Sequence, residues 1–72
     1  MTSTLQKRSI TIAGRRTSLA LEPPFWKALE RWAKVEDRSL ASLIAEIDAL
    51  RRRRRPEASL AAAVRLSLLT RA

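Results

Sequence analysis

The side chains in this sequence that could do chemistry are nearly all cationic. Fifteen Lys and Arg stand against seven Asp and Glu in 72 residues, and with no His and no Cys the formal charge is +8. A guanidinium or ammonium can hold a phosphate, a carboxylate or a base edge, but Arg does not exchange protons at neutral pH. Without His the usual acid/base group and commonest metal ligand is missing, and without Cys there is no thiolate nucleophile, zinc thiolate or disulfide. Glu46 and Asp48, two apart on an expected helix, point to different sides and make a poor carboxylate pair. The single Gly14 cannot build a Gly-rich phosphate loop. The chain is therefore expected not to be an enzyme, with no cofactor, metal or small-molecule substrate indicated. Binding a polyanion is the chemistry its residues favour.

The cations are segregated. Residues 1–21 hold four bases and no acid, residues 22–50 hold four bases and six acids, and residues 51–72 hold seven bases and one acid. An ordinary amphipathic scaffold thus lies between two positive ends, a pattern that suits nucleic acid or an anionic surface. No apolar run approaches the 18 residues of a membrane span, and the N-terminus lacks the apolar core of a secretory signal, so a cytoplasmic protein is expected. At 46% apolar residues the chain has too much buriable surface for disorder.

The elements that must position the cations follow from periodicity. Residues 1–7 are expected to be a flexible basic lead-in, and residues 8–72 a single domain. In the strand region 8–22, Ser9-Ile10-Thr11-Ile12 and Thr17-Ser18-Leu19-Ala20-Leu21 alternate with period two, as half-buried strand does. Gly14 between them marks either a hairpin turn or a local kink in one strand. Pro23-Pro24 ends the strand and suits the first turn of a helix at 24–36, whose apolar stripe is Phe25, Leu29, Trp32 and Ala33. Trp26 and Trp32 could stack on bases, but at helical spacing they are expected in the core. Ser39 caps a second helix, 39–54, carrying Leu40, Leu43, Ile44, Ile47 and Leu50; Pro56 stops it. Ser59 caps a third, 59–70, apolar around most of its circumference and expected to pack on two sides. The five arginines 51–55 point all round the helix end, which favours a solvated terminus over a phosphate track.

A chain this short buries only about 60% of its unfolded surface. A solitary strand cannot make a sheet. Both considerations predict a homodimer or higher oligomer in which two strands pair antiparallel about a two-fold axis.

Arg16-Thr17-Ser18-Leu19-Ala20-Leu21-Glu22-Pro23-Pro24-Phe25-Trp26-Lys27-Ala28-Leu29 and Asp37-Arg38-Ser39-Leu40-Ala41-Ser42-Leu43-Ile44 resemble the ribbon-helix-helix proteins, the Arc, MetJ and CopG type of repressor. Lys7-Arg8-Ser9-Ile10-Thr11-Ile12, followed by Gly14, Arg16-Thr17-Ser18 and Phe25-Trp26, is similar to a small bacterial branch of that family. The resemblance implies a mainly α fold with one short β-strand region, an intertwined homodimer with an intermolecular two-stranded ribbon, and here an extra C-terminal helix. It implies a sequence-specific DNA-binding regulator, a repressor, that inserts the ribbon into the major groove. Carried over, Leu19, Leu21 and Thr17 face the helices, while Arg16, Ser18 and Ala20 face the bases of double-stranded DNA. The phosphate contacts fall on the N-terminus of the second helix at Ser39, Leu40 and Ala41, and on Lys7, Arg8 and Arg15. Ala20 stands where relatives often have a longer polar group. That small residue keeps open a second function, a dimeric protein-interaction module or antitoxin-type component whose apolar C-terminal helix docks a partner.

Overall fold

The computed structural model describes residues 4–71 of the chain; residues 1–3 of the expected lead-in lie outside them. Two seven-residue strands open the fold, β1 (Gln6–Ile12) and β2 (Arg15–Leu21), paired antiparallel from Gln6↔Leu21 to Ile12↔Arg15. The period-two pattern on either side of Gly14 is therefore a hairpin, not a kinked strand. Its two turn residues, Ala13 and Gly14, both have positive φ, 51° and 78°. Left-handed backbone at both central positions is what a tight two-residue hairpin needs to match strand twist. A Cβ at Gly14 would meet nothing within 4 Å, so glycine is favoured there by φ and not by space.

Two expectations change here. β1 begins at Gln6, inside the stretch expected to be lead-in, because Gln6 and Lys7 find partners in Leu21 and Ala20. β2 is also not solitary: its partner is β1 of the same chain, so pairing β2 does not require a second chain. The hairpin forms because Ile10 and Ile12 lie on the same face as Leu19 and Leu21, and all four are buried.

Pro23 and Pro24 occupy the first turn of α1 (Pro23–Val35), where their missing N–H groups would have no partner. The helix ends in a Schellman arrangement. Asp37 takes the left-handed conformation at φ 53°, its amide donates to Lys34 O, and the Arg38 amide donates to Ala33 O. α2 (Leu40–Arg54) starts at Ser39, whose Oγ accepts from the Ser42 amide at 3.0 Å. It stops before Pro56, which forces Arg55 out of helical geometry. α3 (Leu60–Thr70) repeats the cap, Ser59 Oγ accepting from the Ala62 amide. No described helix is long and apolar enough to cross a membrane.

One face of the hairpin and the three helices enclose the core: Ile10, Ile12, Leu19, Leu21, Trp26, Leu29, Ala33, Leu43, Ile44, Ile47 and Val64. On α1 the buried line is Trp26, Leu29 and Ala33, while Phe25 and Trp32 are only partly covered. The expected stripe was thus turned by one residue. Trp26 can be fully buried because its Nε1–H donates to Gln6 O at 2.8 Å, removing the penalty of an unpaired donor. α3 departs further from expectation. Val64 is its only buried side chain, and Leu66 and Leu69 stand exposed, so it packs on one side.

Candidate nucleic-acid interface

The hairpin has two unlike faces. Cross-strand pairing sets Lys7, Ser9 and Thr11 of β1 opposite Ala20, Ser18 and Arg16 of β2. These six alternate with the buried Ile10, Ile12, Leu19 and Leu21, so strand geometry puts them on the side away from the helices. None is acidic, and all but the half-buried Ala20 are exposed. Arg16 lies along the ribbon, its Nε donating to Ser9 Oγ at 3.1 Å. That bond restrains the side chain and leaves both terminal guanidinium nitrogens to reach outward. The three residues expected to face bases are thus brought together on one surface.

Ser9 and Thr11 of β1 belong to the same surface and were missed. Their alternation with Ile10 and Ile12 was visible, but the face they share with Ser18 and Arg16 follows only from the hairpin register. Lys7, expected as a phosphate contact, sits directly across from Ala20. Arg15 is exposed beside the turn, opposite Ile12.

Arg8 is placed differently from expectation. Its register partner is Leu19, on the helix-facing side. The guanidinium lies 4.4 Å from the centre of the Trp26 ring and bonds Glu30 Oε2 at 2.9 Å. Stacking and ion pairing together link β1 to α1, with the Arg8 side chain still 39% exposed.

The second expected patch is the start of α2. Ser39 uses its hydroxyl on the Ser42 amide, and no acid lies in the first helical turn, so the Leu40 and Ala41 amides sit at an uncompensated positive helix end. Arg38, which the sequence did not single out, crosses this turn and donates to Ser42 O and Oγ, both at 2.9 Å, and to Glu36 and Glu46. Glu46, foremost, holds the Arg38 guanidinium above its ordinary pKa, and the Trp32 Nε1–H donated to Glu36, then Arg38, holds the Glu36 carboxyl below the usual range. The cleft beside this end also contains Glu30, Lys34 and Asp37, so its charge is mixed. No hydrogen bond or ion pair joins the helix end to the ribbon face among the described residues. They are two separate patches, and the ribbon is the more electropositive.

The five-arginine run divides. Arg51 donates to Asp48 Oδ1 at 2.8 and 3.0 Å and to Ala58 O at 2.9 Å, and Arg52 meets Asp48 Oδ2 at 3.1 Å. Asp48 is the one buried ionisable group in the described chain, and these bonds make its burial tolerable. Arg53, Arg54 and Arg55 have no carboxylate partner among the described residues. Trp26 is wholly covered and Trp32 packs at the edge of the core with Arg71 over its ring at 4.5 Å, so neither is a stacking platform for bases.

Compared with known proteins, residues 5–72 match a family described as the ribbon-helix-helix domain. No curated protein and no solved structure matches the chain.

Proposed function

Because the chain belongs to the ribbon-helix-helix family, whose members generally bind DNA as dimers, we propose that it is a sequence-specific DNA-binding transcriptional regulator. It acts as a homodimer on a two-fold-related duplex site, and it represses by occupying that site. The observation that carries this reading is the acid-free outward face of the hairpin, Lys7, Ser9, Thr11, Arg16, Ser18 and Ala20.

A two-stranded ribbon fits the major groove, which is about 12 Å wide, and meets base edges there with alternate side chains. Arg16 is the principal reader, its terminal nitrogens bonding guanine O6 and N7 together. Ser18 and Ser9 donate or accept, the Thr11 and Ala20 methyls suit thymine, and Lys7 adds a second cation where Ala20 has no reach. Arg15 beside the turn and the amides of Leu40 and Ala41, behind the Ser39 cap, hold phosphates and fix register without reading sequence.

The test is selection of bound sequences from random duplex DNA, followed by affinity measurements across a salt series. A two-fold-symmetric site and a steep loss of affinity with salt are expected, since bound phosphates release counterions. Arg16→Ala should cost about 1–3 kcal/mol on the selected site and much less on random DNA. Arg53→Ala, which removes an unpaired cation away from the ribbon, should weaken neither site preferentially. No duplex binding, or equal losses from Arg16→Ala on both DNAs, overturns the assignment.

A further inference from the structure

A second surface, unrelated to the ribbon, has a different chemistry. Between the C-terminal half of α2 and the length of α3 runs a groove of about 330 Å³, its apolar lining made by Ile47, Leu50, Ala58, Ala62, Ala63 and Leu66. Leu50 and Leu66 remain 43% and 42% exposed. Three of the lining residues are alanines, small enough for a ridge of side chains from another helix to seat between α2 and α3. The rim is cationic: Arg54 and Arg55 border the groove without a carboxylate partner among the described residues, and no acidic side chain lines it. Arg51, also on the rim, is already held by Asp48 and Ala58.

An apolar trough flanked by unpaired guanidiniums fits an amphipathic helix whose apolar stripe is edged by Asp or Glu. Nucleic acid is a poor occupant, because the lining between the arginines is aliphatic except for Ser67 and Thr70, whose hydroxyls are few for a phosphate backbone. A second copy seated by the same groove is a poor one too, since it would set Arg54 and Arg55 against their own counterparts at the rim. We infer that the α2–α3 groove is a docking site for an acidic amphipathic helix of a partner protein. The inference stands independently of the DNA reading.

Two fluorescent helical peptides about four turns long test it on the full chain, by anisotropy. Both carry leucines at the same i, i+4, i+7 and i+11 positions; one is flanked by Glu and the other by Lys. The Glu peptide should bind with micromolar Kd and the Lys peptide at least tenfold more weakly. Joint replacement Arg54→Glu and Arg55→Glu should weaken the Glu peptide about fivefold or more, at the exposed-pair level of these contacts. Leu66→Asp should abolish binding, with helix content by circular dichroism unchanged, whereas Lys27→Glu on α1 and Arg16→Ala on the ribbon should leave it intact. Equal binding of the two peptides, or of neither, overturns the inference. So does loss on Arg16→Ala, which would move the peptide to the ribbon, or self-association that Leu66→Asp removes, which would make a second copy the occupant.

Discussion

At the scale of single residues, Trp26 shows how much one polar atom decides. Helical spacing ran the buried stripe of α1 through Phe25 and placed Trp26 in the core beside it. The structure covers Trp26 completely and Phe25 only in part, because β1 lies within reach and Gln6 O accepts the indole N–H. That partner lies 20 residues away, on a strand whose course depended on the turn at Gly14, so no local pattern could reveal it. Ala13 illustrates the converse. Its φ of 51° is a left-handed conformation that costs an L-residue with a Cβ about 1 kcal/mol or more. Ala13→Asn should therefore raise stability by about 1 kcal/mol in denaturant unfolding, since Asn-Gly is the preferred pair in such turns. An unchanged or lower midpoint would show that the turn is not strained in solution.

Among the elements, α3 is the one whose docking depends on a few named contacts. Val64 fills the core, and Arg65 reaches back to Glu22, its Nε and Nη2 donating to Glu22 Oε1 at 3.0 and 2.9 Å. Arg65 also lies over the Phe25 ring at 5.8 Å. A hydrogen bond from its own backbone amide, and then the bond from Arg65, hold the Glu22 carboxyl below the ordinary range. A carboxyl whose pKa is lowered on folding stabilises the fold above its unfolded value, near 4.3 for Glu, and loses that contribution as pH falls through the folded value. Protection of α3 amides from hydrogen exchange should accordingly fall on acidification below about pH 4. Glu22→Gln should flatten that acid limb. The same acid limb in Glu22→Gln would remove Glu22 from the account. The caps Ser39 and Ser59 and the stop at Pro56 were legible in the sequence because they act within three or four residues. Which side of an apolar helix is covered was not, because Val64 is chosen by the neighbours that α2 and β2 present.

For the whole molecule, the issue is how one chain becomes half of a dimer. Its radius of gyration is 11.8 Å, close to the roughly 11 Å of a compact domain of this length, and its hairpin is closed within the chain. A ribbon shared between two chains would have β2 meet its copy antiparallel, with Ser18 at the middle of β2 nearest the two-fold axis. The chain has no cysteine, so Ser18→Cys reports on this directly. If β2 strands pair about that axis, mild oxidation should cross-link the dimer, more so with the selected DNA bound. A dimer in sedimentation that fails to cross-link would mean that the hairpins stay closed and the two copies meet elsewhere. A monomer on DNA would remove the two-fold reading altogether.

The order of elements, their caps and breaks, the alternation of the strands and the uneven charge were determined by the sequence itself, because each depends on groups a few bonds or one helical turn apart. The resemblance to ribbon-helix-helix proteins was legible for the same reason, being carried by short ordered runs. Tertiary structure alone decided the rest. It closed β1 on β2, gathered Lys7, Ser9, Thr11, Arg16, Ser18 and Ala20 on one face, laid Arg8 over Trp26 beside Glu30, and left a basic-rimmed groove beside α3. Those outcomes depend on which distant faces bury each other. The free energy of that burial belongs to pairs of surfaces and is carried by no single stretch of chain.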